Sequence, residues 1–129
     1  MMKTQIEDAA LTRILLRLGV PFEQLNNVLA QIHVDRREWS EDVANATQCV
    51  GQFVYFAPSE AIPVATPPSH LGLWASHESM PGGADFVLFL ASGVPKVLEI
   101  GFFGYPMPKA ILGANVSNFV FAPNDTGRE

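Results

Sequence analysis

The stretch Ala84 to Tyr105, ADFVLFLASGVPKVLEIGFFGY, decides the fold. Phe86, Leu88 and Leu90 alternate with Val87 and Phe89. Both faces of this arm are therefore apolar. On the return arm Leu98, Ile100 and Phe102 share one face, and Val97, Glu99, Gly101 and Phe103 share the other. β-Branched and aromatic residues suit a pleated surface, and each run is short for a helix. Ser92 and Gly93 join the arms, with Gly93 supplying the positive φ of a tight hairpin. Pro95 has no N–H to donate, which restricts it to a strand start, a bulge or an edge. A hairpin apolar on both faces needs cover on both. Helices are expected on one side, and more helices, a second sheet or another chain on the other.

Two helices are expected before it. Thr4, Gln5, Ile6 and Glu7 have the form of a capping box, and Leu11, Ile14, Leu15 and Leu18 follow at helical spacing. Gly19 ends this helix as a C′ glycine does. Pro21 opens a second helix, whose apolar stripe reads Phe22, Leu25, Val28, Leu29 and Ile32. His33 to Ala46, HVDRREWSEDVANA, reads as irregular and polar, with a short strand over His33 to Trp39. Gln48 to Phe56 is a strand with a bulge at Gly51. Pro58 to Ser69, with four prolines, is an extended connection. Leu71 to Glu78 is a further strand, with Leu71, Leu73 and Ala75 facing away from Trp74. Met80 to Gly83 reads as a turn, Ala110 to Leu112 as one helical turn, and Val116 to Phe121 as a last short strand. The resulting fold class is α+β: two N-terminal helices packed on a mainly antiparallel sheet of four to five strands. Its 129 residues make one domain, with about 1–3 and 123–129 expected to fray.

Charge narrows the function. Hydrophobic residues are 48% of the chain and charged residues 16%, against about 25% charged in an ordinary domain. A surface this short of charge points to a buried interface, with a homodimer as one form of it. Between Glu38 and Pro95 there are six acids (Glu38, Glu41, Asp42, Glu60, Glu78, Asp85) and no Lys or Arg, a formal charge of −6 within a chain of net −5. Nucleic acid requires clustered cations, so it is excluded as a partner, and a basic protein is favoured. Trp39 stands among the acids. The residues expected to contact such a partner are Glu38, Trp39, Glu41, Asp42 and Glu60, although a Trp also commonly closes a core.

Chemistry-bearing residues are few. Glu99 among apolar neighbours is either an acid or base with an altered pKa or a carboxylate satisfied at a sheet margin; the second is the commoner role. His70, His77 and Glu78 are the one group resembling metal ligands, but seven residues apart on a strand the two histidines face opposite sides. No metal, cofactor or catalytic residue is expected. Cys49 is the only cysteine, which excludes an internal disulfide; it reads as a core residue rather than a nucleophile. No signal-peptide pattern precedes the first helix, and no apolar run of about 20 residues is present, so neither a membrane span nor export is expected. The expected compartment is the cytoplasm.

The chain resembles a group of small uncharacterised bacterial proteins. These open with two helices joined by a short Phe/Pro-containing turn and end in a hairpin of form L-x-x-x-D-G-x-L-x-x-L-E. The matching residues here run from Leu88 to Glu99, with Gly93, Leu98 and Glu99 in agreement. Ser92 stands where the group has Asp, and Pro95 where it has a core Leu. The resemblance implies shared architecture and brings no catalytic residues with it. By analogy such proteins are similar to immunity proteins, which neutralise secreted bacterial toxins. Three expectations follow: a non-enzymatic toxin inhibitor that covers a basic active site, a homo-oligomeric accessory protein, or a small ligand-binding protein or enzyme using Glu99, Asp85 or a histidine.

Overall fold

A computed structural model describes residues 2–104, 106–113 and 118–122. Helix α1 spans Gln5–Leu18 and α2 spans Leu25–Gln31. The long strands are β1 (Val34–Asp42), β2 (Asn45–Phe56), β3 (His70–His77), β4 (Met80–Ala91) and β5 (Val94–Phe102). Two-residue strands β6 (Met107–Pro108) and β7 (Val120–Phe121) complete one antiparallel sheet of seven. The order is β1-β2-β5-β4-β3-β7, with β6 paired to β2. Strands β3, β4 and β5 form a meander that folds back so that β5 lies beside β2, a Greek-key connection.

The class is α+β, but the sheet exceeds the four to five strands expected from sequence. Three local readings account for the difference. His33 to Ala46 is a regular hairpin arm rather than mostly irregular, because β1 alternates faces with charged residues on both. Met80 to Gly83 is the start of β4, and the turn is Glu78-Ser79. Of the two shortest strands, β7 falls within the expected Val116 to Phe121, and β6 is below the length at which periodicity is visible.

The first helix forms as its sequence dictates. The Thr4 hydroxyl accepts from the Glu7 N–H at 3.2 Å, and the Glu7 carboxylate accepts from the Thr4 N–H at 2.8 Å. Gly19 closes the helix at φ 99°. The second helix is shorter than expected. A 3₁₀ turn over Phe22–Gln24 precedes it, and Phe22 is 79% exposed rather than part of the apolar stripe. No basic residue lies in the last turn of α2. Lys3 serves instead, donating to the carbonyls of Leu29 (3.0 Å) and Ile32 (2.8 Å). Lys3 is thus tied to α2; of the residues expected to fray, 1 and 123–129 lie outside the described residues, as do 116 and 117 of the expected last strand.

Both helices lie on one face of the sheet. Ile6, Ala10, Leu11, Ile14, Leu15 and Leu18 of α1 are buried with Leu73, Phe86, Leu88, Leu98 and Ile100 of the sheet. Each such side chain contributes about 1.5–3 kcal/mol on burial. The connection from β2 to β3 passes the β4–β5 turn, where the Ile62 N–H donates to the Gly93 carbonyl and Ile62 enters the core. That turn has Ser92 at φ 50° and Gly93 at φ 80°, both positive as a type I′ hairpin requires. The register skips Lys96 between Phe89↔Val97 and Leu90↔Pro95, so Pro95 sits beside a bulge.

Gly51 fixes the join between the two hairpins. A Cβ there would lie 2.2 Å from the Ile100 carbonyl oxygen of β5. Next to it, Ser40 pairs with Gly51 and Glu41 with Cys49, which leaves Val50 as the extra residue of a bulge.

Candidate functional site

The face of the sheet away from the helices has no described helix or strand over it. Strand periodicity and register lay its residues out in rows across all five long strands. One row is Arg36, Tyr55, Val97, Phe89 and His70. The next is Glu38, Phe53, Glu99, Val87 and Gly72, and the third is Ser40, Gly51, Gly101, Asp85 and Trp74. Aromatic contacts run along it: Phe53 stacks with Tyr55 at 6.4 Å, and His70 lies tilted over Phe89 at 5.8 Å. Phe89 remains 39% exposed at the centre of this face. The glycines at 51, 72 and 101 leave the floor low beside the aromatic ridge.

At the β1 margin, Arg36, Glu38 and Tyr55 form a closed trio. The Tyr55 hydroxyl donates to Glu38 Oε1 at 2.9 Å, Arg36 Nη1 donates to Glu38 Oε2 at 2.6 Å, and the guanidinium lies 3.9 Å over the Tyr55 ring. The hydrogen bond from Tyr55, then that from Arg36, holds the Glu38 carboxyl below its ordinary value; the same bond to Glu38 raises the Tyr55 phenol.

Cations are unevenly divided between the faces. Lys3, Arg13, Arg17, Arg37 and Lys109 lie on the helix side, where Asp8, Glu7 and Glu41 pair with Lys3, Arg37 and Lys109, Arg13 lies over Phe121 and Lys109 lies over Trp39. Among the described residues the open face carries Glu38, Asp85 and Glu99 with Arg36, while Lys96 stands at the bulge by the turn. β1 is also an edge of the sheet, and charged residues on an edge strand guard it against pairing with another chain. No family model matches the chain, nor does any curated protein or solved structure.

The five contact residues expected from sequence do not form one patch. Glu38 is on the open face. Trp39 points to the helix side, where it packs against the core and lines a cleft. Glu41 is held by Lys109, and Asp42 ends β1 at the hairpin opposite Asn45. Glu60 lies in the β2–β3 connection, on a cleft of about 270 Å³ against α2. Glu99 is half-buried between Phe53 and Val87 on the open face. His70 and His77 face opposite sides: His70 is on Phe89, while the His77 ring meets Phe119 edge-on at 4.8 Å and accepts from the Ser79 N–H. Among the described residues no three His, Cys, Asp or Glu side chains come close enough to hold a metal ion. No described helix is long and apolar enough to cross a membrane. Cys49 is buried, and burial raises its thiol pKa.

Sequence reasoning did not pick out Tyr55, Phe53, Val87, Val97 and Phe89 as a site. The signal was present: these are the second apolar faces of β2, β4 and β5.

Proposed function

We propose that the protein is a non-enzymatic binding protein that takes a basic protein partner on the open face of its sheet. The reading rests on one observation, the acidic balance of an uncovered apolar face. Phe89, Tyr55, Phe53, Val87 and Val97 supply desolvatable area, and Glu38, Asp85 and Glu99 supply the negative field. Aromatic anchors give affinity, and complementary charge gives orientation and a fast encounter. An immunity protein that covers the basic active site of a bacterial toxin is the class that fits these features, since enzymes acting on nucleic acid carry basic clefts. A homodimer through the same face would set the acids of one copy against those of the next, which disfavours it.

The test is affinity capture from the native cell with the wild-type chain, Phe89→Ala, Glu99→Lys and the helix-side variant Arg17→Ala. The expected outcome is a basic polypeptide held by wild type and Arg17→Ala, lost with either open-face variant, and weakened by salt. Identical captures from all four chains sink the proposal. So does sedimentation of the pure protein as a dimer that Phe89→Ala dissociates.

A further inference from the structure

A second site lies on the opposite side of the sheet, between β1 and the 3₁₀ turn Lys109–Leu112. It is a cleft of about 370 Å³, lined by Trp39, Gln52, Arg37, Thr4, Lys109 and Leu112. That volume is within the range of small-molecule sites. Gln52 sets it apart. The residue is 4% exposed, no hydrogen bond joins its amide to a described residue, and its remaining exposure is to the cleft. An amide carries two donors and an acceptor with two lone pairs, and those of Gln52 are open to a ligand that enters the cleft. Strand register places Gln52 directly opposite Trp39, so amide and indole line the same cleft side by side.

The charges around the cleft fix what it takes. Arg37 is spent on Glu7 and the Met2 carbonyl. Lys109 is spent on Glu41 and stands 5.5 Å over the Trp39 ring. Both cations already have their carboxylates, so an anionic ligand gains little here. An unpaired amide beside an indole instead matches a flat, uncharged ring with a donor and an acceptor on one edge. The glutamine amide meets the donor–acceptor edge of adenine in this way, with two parallel hydrogen bonds. An aromatic ring beside it offers stacking worth about 1–3 kcal/mol per base.

We propose that the cleft between Trp39, Gln52 and the Lys109–Leu112 turn binds an uncharged planar heterocycle of nucleobase type. Gln52 reads its donor–acceptor edge, and Trp39 contacts its ring. The site is separate from the open sheet face, and its occupancy does not depend on a protein partner.

Free adenine is the probe, followed by ligand-observed NMR and by equilibrium titration of the full chain, with benzoate as the anionic counterpart. Binding of adenine in the millimolar range or tighter, a level worth about 4 kcal/mol, is expected. Gln52→Leu keeps the volume and removes the amide; it is expected to weaken adenine about tenfold or more while the thermal midpoint holds or rises. Should Gln52→Leu fail to fold, Gln52→Asn, which withdraws the amide by one methylene, is expected to show the same loss. No adenine response in the wild type overturns the proposal. An unchanged response in a folded Gln52 variant overturns it too, as does benzoate binding as well as adenine.

Discussion

Glu7 and Arg37 form a bidentate pair that joins α1 to the edge strand β1. Arg37 Nε reaches Glu7 Oε2 at 2.7 Å and Nη2 reaches Oε1 at 2.8 Å. The Glu7 side chain is 1% exposed. Its carboxylate also accepts from the Thr4 N–H, and Arg37 also donates to the Met2 carbonyl. The bond with Glu7 is the main cause of a raised Arg37 pKa. A buried pair is not in itself a large source of stability, but removing one partner strands the other. Arg37→Ala leaves a buried carboxylate and is expected to cost about 3–5 kcal/mol. Arg36→Ala, one residue away and on the exposed face, is expected to cost under about 1 kcal/mol. Denaturant midpoints of the two variants check the contrast; equal losses would mean that α1 is not anchored through this pair.

The join between the hairpins gives the next expectation. At Gly51 even one methyl group meets the Ile100 carbonyl, a backbone atom that cannot rotate away. Gly51→Ala must push β2 off β5, in the middle of the sheet. A loss of more than about 4 kcal/mol, or failure to fold, is expected, which is at the extreme of single substitutions. Gly101→Ala pairs directly with Gly51, but its Cβ would meet nothing within 4 Å. It is expected to fold normally. Circular dichroism and thermal unfolding of the two proteins separate a steric cause from a general intolerance of side chains in that row.

Much of the fold was legible in the sequence, for a definite physical reason. Apolar periodicity is written into residues that face a core, so α1, the face of β3 bearing Leu73 and the two arms of the β4–β5 hairpin could be read directly. β1 was legible only as a short strand over His33 to Trp39, because an edge strand with one shielded face is polar, and its main inward contact, Arg37 to Glu7, joins residues thirty apart. The site was harder to read. Glu38, Trp39, Glu41 and Asp42 are neighbours in sequence, but strand alternation sends Glu38 and Trp39 to opposite faces. Conversely, Arg36, Tyr55, Val97, Phe89 and His70 form one row only through pairings across five strands. Gln52 gave no signal at all, since an amide lining a cleft is a property of its surroundings.

The trio of Arg36, Tyr55 and Glu38 makes a pH-dependent contribution with a definite sign. The Glu38 pKa is lowered on folding, so its contribution is complete above the unfolded value of about 4.3 and is lost as pH falls through the folded pKa. The Tyr55 pKa is raised, so its contribution is complete below the unfolded value of about 10 and is lost as pH rises through the folded pKa. The trio therefore stabilises the fold between these limits. In wild type, the tyrosinate absorbance assigned by subtraction of Tyr55→Phe is expected to rise at higher pH than in Glu38→Gln. Coincident curves would show that the Tyr55–Glu38 bond is not held in solution.

Cys49 tests the inner end of β2. It pairs with Glu41 of β1 and Met107 of β6, is fully buried, and has a thiol whose pKa burial raises. Thiolate is the reactive form, so both access and ionisation slow its attack on a disulfide reagent. Labelling of the native protein at neutral pH is expected to proceed through opening of the structure rather than by direct collision. Its rate should then be independent of local thiol chemistry and rise as stability falls. Arg37→Ala, which weakens the anchor of β1 by about 3–5 kcal/mol, is expected to speed labelling by about two orders of magnitude or more. Arg36→Ala is expected to leave it nearly unchanged. Rapid labelling of the wild type, at the rate seen in denaturant, would place Cys49 at the surface and rule out the pairing of β6 with β2.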